Sequence, residues 1–164
     1  MAEQQQDVGG EDLAAVVSAV LTGSRLLVAV AARSLSSVGE SVTLPQFRML
    51  VVLAGRGEAK LVTLAEALGV NPSTAMRMAD RLGNANLIVR AVNPDNRRES
   101  LIRLTGEGRR VVDEVTARRA AEIEQIVSRL SPQQRRALVA AMAAFNEAGG
   151  EPAADAHPLG WPGY

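Results

Sequence analysis

The chain has 164 residues, with 18 basic residues balanced by 18 acidic ones and no cysteine. Bulk charge therefore does not point to nucleic acid, and disulfides, thiolate metal sites and thiol-based redox sensing are excluded. Only 2% of the residues are aromatic, so a core must be built from Leu, Val, Ala, Ile and Met, and the helical spacing of Ala and Leu predicts a mainly α chain of one domain. No apolar run reads as membrane-spanning and no signal peptide is visible, which makes a cytoplasmic protein with no membrane partner the expectation.

Residues 1–10 are polar and end in Gly9-Gly10, and are expected to form a flexible N-terminal tail. From Glu11 to about Ser37, Leu13, Val16, Val17, Val20, Leu27, Val28, Ala31 and Leu35 recur at helical spacing and predict a long first helix with one apolar stripe. Ser36, Ser37 and Gly39 break it. Thr43 opens a second helix, with Pro45 in its first turn and Gln46 completing a capping box. Phe47, Leu50, Val51 and Ala54 form its buried face, and Gly55-Arg56-Gly57 ends it.

Leu61 to Asp80 has the pattern of two helices joined by a tight turn. Ala65 is small where the helices would cross, Gly69 stands where φ > 0 is needed, and Ala75 falls on the buried side of the second helix. Leu64, Leu68, Val70, Met78 and Leu82 fill the space between. Asn71 suits the N-cap of the second helix and Pro72 its first position. This Ala-x3-Gly-x5-Ala spacing fits a DNA-binding helix-turn-helix, and on this segment alone an ordinary helical hairpin stays open.

With Ala75, Met78, Ala79 and Leu82 inward, the second helix turns Ser73, Thr74, Met76, Arg77, Asp80 and Arg81 outward. A recognition helix enters the major groove N-terminus first. Ser73 and Thr74 suit phosphates or base edges, Arg77 suits guanine or phosphate, and Met76 suits a thymine methyl. For Arg81, an ion pair with Asp80 or another neighbour and a phosphate contact remain alternatives.

After Asn84-Ala85-Asn86 the period changes from helix to strand. Leu87–Val92 and Ser100–Leu104 are two β-prone runs, and Asn93-Pro94-Asp95-Asn96 between them is turn chemistry. A β-hairpin follows, with Arg97 and Arg98 near its tip and Asp95 placed to orient Arg97. A tip arginine suits the narrow, electronegative minor groove; a solvated charged turn is the alternative. Arg90 on the first strand joins the candidate DNA-binding set. From Asn71 to Leu104 six arginines face three carboxylates, a local charge of +3 in a neutral chain. All cations but Lys60 are arginine, which suits bidentate phosphate and guanine contacts and is equally what a GC-rich genome produces.

Thr105 caps a helix running to about Arg129, and Ser131-Pro132-Gln133-Gln134 is a second capping box that starts a last helix through Leu138, Met142 and Phe145. The expected organisation is a winged helix-turn-helix region over residues 39–105 and a helical dimerisation region from 11–38 and 106–147. The first, fifth and sixth helices carry more apolar surface than one small domain covers, which predicts a homodimer whose two-fold axis suits a palindromic operator. Residues 148–164 are rich in Pro, Gly and Ala and hold the single His157, Trp161 and Tyr164. Composition makes this tail flexible, although its aromatic end can dock on a partner subunit. One histidine without cysteine makes no metal site, and no cofactor is expected.

Leu64-Ala65-x-x-Leu68-Gly69-Val70, Arg77-x-x-Asp80-Arg81-Leu82, Asp95-x-Arg97 and Leu104-Thr105-x-x-Gly108 together resemble the MarR family of winged helix-turn-helix regulators, over about Glu11 to Asn146. The resemblance implies an obligate homodimer with intertwined terminal helices. It puts Ser73, Thr74, Met76 and Arg77 in the major groove and Arg97 in the minor groove. It implies a repressor of transcription acting on double-stranded DNA, released by a small-molecule effector. Arg25, Phe47 and Arg48 are the residues on offer for an effector pocket, with Phe47 read first as a core residue. Asn84-Ala85-Asn86-Leu87 and Met76 depart from the family's usual residues. The alternative function is a winged-helix interaction or ligand-sensing module without operator binding. An enzyme is disfavoured, because no nucleophile–base or phosphate-loop constellation appears.

Overall fold

The computed structural model describes residues 2–36, 38, 42–92 and 100–150, with side chains described from Asp12 onward apart from that of Val92. Six helices and three short strands follow one another: α1 (Ala2–Ser36), α2 (Leu44–Arg56), β1 (Glu58–Lys60), α3 (Leu61–Leu68), α4 (Pro72–Asn84), β2 (Ile88–Val92), β3 (Ser100–Leu104), α5 (Gly106–Val127) and α6 (Pro132–Ala148). This is the mainly helical winged arrangement that the periodicities predict.

The core is built by α2, α3, α4, the sheet and the first half of α5. Met49, Leu50, Leu53, Leu64, Ala75, Leu82 and Val112 are fully buried in it. The start of α2 is held by the Thr43 N–H donating to Gln46 Oε1 at 2.7 Å, the Gln46 half of a capping box. That bond gives the side-chain oxygen of the buried Gln46 a partner. Antiparallel pairing gives the strand order β1-β3-β2, with Ala59 opposite Ile102 and Ile102 opposite Arg90. The third strand, β1, was not among the expected elements. Glu58-Ala59-Lys60 is too short for a period and poor in β-formers, so only its pairing with β3 makes it a strand.

Two expectations are corrected. Residues 2–10, read as a flexible tail, have helical backbone continuous with the rest of α1. Extending an existing helix costs far less than nucleating one, and Glu and Gln are good helix formers, so Gly9-Gly10 does not stop it. Secondly, Asp12–Ser36 is long and apolar enough, by length and composition, to cross a membrane. Alanines and valines between the stripe positions make it more apolar than the stripe alone suggests.

The chain ends differ from the core. Among the described side chains of α1 only the C-terminal end is packed, through Val30, Ser34 and Leu35, where Arg33 Nε donates to Glu122 Oε1 of α5 at 2.9 Å. From Asp12 to Val28 every α1 residue is exposed, and α6 contains no buried residue.

Candidate nucleic-acid interface

The turn between α3 and α4 follows from two residues. Gly69 ends α3 at φ 65°, ψ 34°, a left-handed conformation in which a Cβ is costly. Asn71 then caps α4: its Oδ1 accepts from the Thr74 N–H at 2.8 Å and from the Ser73 hydroxyl at 2.8 Å. Pro72 occupies the first turn, where its missing N–H costs nothing.

On the inner side of α4, Ala75, Met78, Ala79 and Leu82 are all buried. On the outer side Ser73, Met76, Arg77, Asp80 and Arg81 are exposed and Thr74 is half-buried. Arg77 Nη2 donates to Thr74 Oγ1 at 3.2 Å, one turn back, and no described carboxylate pairs with Arg77 or Arg81. Of the two alternatives for Arg81, the Asp80 ion pair is therefore not formed. The outer face presents two hydroxyls, a thioether and two guanidiniums beside a helix N-terminus.

Arg90 is placed otherwise than its charge suggests. Its register partner is Ile102, so it lies on the sheet face that meets the helices, and its Nη2 donates to Asp80 Oδ1 and, at 3.3 Å, to Met76 Sδ. Asp95, Arg97 and Arg98 lie outside the described residues, as does the tail from residue 151.

The base of the wing is fixed to α5 by a motif whose spacing is visible in sequence but whose purpose is not. Thr105 Oγ1 donates to the Asn86 carbonyl at 2.8 Å and accepts from the Gly108 N–H at 2.9 Å. The Thr105 N–H donates to the Leu87 carbonyl at 3.1 Å. A Cβ on Gly108 would lie 2.0 Å from that same Leu87 oxygen, so only glycine lets α5 approach the wing this closely. Asn86, at φ 58°, makes the left-handed turn that starts the wing.

Three effector candidates do not converge. Phe47 is core, 8% exposed; Arg25 donates to Thr22 on its own helix at 3.3 Å; Arg48 is exposed on α2. A cleft of about 430 Å³ lies elsewhere, between α1 and α5, lined by Arg33, Ser34, Arg118, Ala121, Glu122 and Gln125. Among the described residues no three His, Cys, Asp or Glu side chains come together as metal ligands would.

A helix-turn-helix with a capped, outward-facing second helix and an adjoining β-hairpin defines a winged helix-turn-helix protein. Residues 42–100 match the model of the MarR family. The chain is similar to RV1404 from Mycobacterium tuberculosis, whose crystal structure is 51% identical in sequence, with 87% of this chain and 97% of that one covered at a TM-score of 0.78. It is also similar to YusO from Bacillus subtilis, at 30% identity, 81% and 95% coverage and a TM-score of 0.67. Among curated proteins, the HTH-type transcriptional repressor MdtR of Bacillus subtilis is 37% identical over 95 residues, 58% of this chain and 61% of MdtR. The chain belongs to the MarR family.

Proposed function

We propose that the protein is a homodimeric, sequence-specific regulator of transcription that binds double-stranded DNA, acting as a repressor at a palindromic operator in the cytoplasm. The observation that carries this reading is the outer face of α4. Ser73, Met76, Arg77 and Arg81 are turned to solvent beside a capped helix N-terminus, on a helix whose opposite face is fully committed to the core. Hydroxyls and first-turn N–H groups suit phosphate, and an arginine one turn on suits a guanine edge. MdtR, named as a repressor, supports the direction of regulation. Arg97, with Asp95 to orient it and Arg98 beside it, is the proposed minor-groove reader.

The dimer part of the proposal rests on the chain ends. Leu13, Val17, Leu21 and Val28 of α1 and Leu138, Met142 and Phe145 of α6 are 40% or more exposed. An isolated monomer rarely leaves so continuous an apolar surface in water. A second copy covers it and places two recognition helices about one DNA turn apart. The apolar stretch of α1 then faces protein rather than lipid, which suits the Arg25 and Arg33 it contains better than a bilayer does. Release by a small-molecule effector, with the cleft at Arg33 as its candidate site, is part of the same proposal.

Selection from random duplex DNA tests the reading. The expected result is an inverted-repeat site bound far more tightly than scrambled DNA, with affinity falling steeply as salt rises. Arg77→Ala is expected to cost about 1–3 kcal/mol of binding, with relaxed preference at one base pair per half-site. Selection that enriches no sequence would favour the interaction-module alternative.

A further inference from the structure

One guanidinium connects the wing to the outer face of α4. Arg90, on β2, reaches Asp80 and Met76, which lie one helical turn apart on α4. Met76 is 41% exposed, and a methionine has three rotatable bonds, so α4 by itself does not fix where the thioether points. The N–H···S contact from Arg90, itself anchored by Asp80, supplies that restraint. Arg90 is thereby drawn in toward α4 rather than left extended for phosphate.

We infer that Asp80 and Arg90 are positioning residues for sequence reading: together they hold the Met76 side chain in one pose on α4 and the wing at one angle to it. Base preference beneath Met76 depends on the pair, and charge-driven affinity does not. The inference rests on the reading of α4 as the DNA-reading helix. Asp80 and Arg90 are 53% and 43% exposed, so the pair adds little to folding and its removal leaves the fold in place.

The test uses the full-length protein with methyl-labelled methionine and the variants Asp80→Asn, Arg90→Gln and Arg90→Lys, with Met76→Leu to identify the Met76 methyl resonance. Without DNA, all three charge-pair variants are expected to shift or broaden that resonance, since a lysine keeps the charge but not the fork that spans both partners. On the selected duplex, discrimination against single base-pair changes is expected to fall about fivefold, what roughly 1 kcal/mol corresponds to, at the positions that Met76→Ala also relaxes. The salt dependence of binding stays at its wild-type slope. A Met76 methyl unmoved in the variants overturns the inference. So does the pattern of a direct phosphate contact: Arg90→Gln lowering the salt slope by about 0.9, Arg90→Lys keeping it, and Asp80→Asn tightening binding to every sequence. Failure to select any DNA would sink the DNA reading alone, because the methyl resonance still decides whether the pair holds Met76.

Discussion

The winged core and the two terminal helices are written in the same alphabet of Ala, Val and Leu, yet they end in opposite states. In α2, α3 and α4 the apolar face is used up: Leu50, Leu64 and Leu82 are each 0% exposed. In α1 and α6 the equivalent residues stand in water, with Leu13 64% and Phe145 53% exposed. Hydrophobic periodicity says that a face will be buried, but not by what. The core finds its cover within one chain; the ends stay exposed in it.

Substitutions in the core sharpen that contrast, because each acts within one chain. Leu50→Ala is expected to lose about 2–5 kcal/mol in urea denaturation, the usual range for emptying a buried leucine site. Gly108→Ala should cost about 1–3 kcal/mol, since the new methyl overlaps the Leu87 carbonyl and separates α5 from the wing. Gly83→Ala, on the exposed side of α4 where a Cβ meets nothing, should instead gain roughly 0.5–1 kcal/mol by the same assay. Asn71→Ala removes the cap of α4 and is expected to cost about 1 kcal/mol, with protection from hydrogen exchange lost first in Ser73 to Ala75.

The smallest effect is electrostatic. At the start of α5, the hydrogen bond from Arg110 holds the Glu107 carboxyl below its ordinary value of 4.5, against an upward push from desolvation and with a lesser downward pull from the Arg110 charge. A carboxyl depressed in the folded state adds stability above its unfolded value and loses it as pH falls through the folded one. The melting temperatures of wild type and Glu107→Gln should therefore differ slightly at neutral pH and converge below about pH 4.5.

Much of the frame is legible in the sequence because local chemistry decides it. Asn71-Pro72 marks the start of α4 whatever surrounds it, Ser131 with Gln134 marks the start of α6, and the wing strands show by their change of period. What escapes is set by partners distant in sequence. β1 exists because β3 pairs with it, and Gly108 is needed because Leu87 lies against it. Arg90 reads as one more cation for DNA until strand register turns it toward Asp80. The α1 start shows the opposite limit: Gly9-Gly10 is a real local signal, outweighed by a helix already under way.

In the proposed assembly the exposed faces of α1 and α6 are halves of a dimer that presents two α4 helices to DNA. Molar mass in solution across a concentration series, for wild type and Phe145→Glu, tests it most directly. A dimer gives twice the 17.3 kDa chain mass for the wild type. Phe145→Glu should dissociate toward one chain and lose selective DNA binding with it. A wild-type mass of one chain at micromolar concentration, or a Phe145→Glu protein that stays dimeric and binds unchanged, would contradict it, because a charge at a merely solvated position shifts stability by no more than about 0.5 kcal/mol.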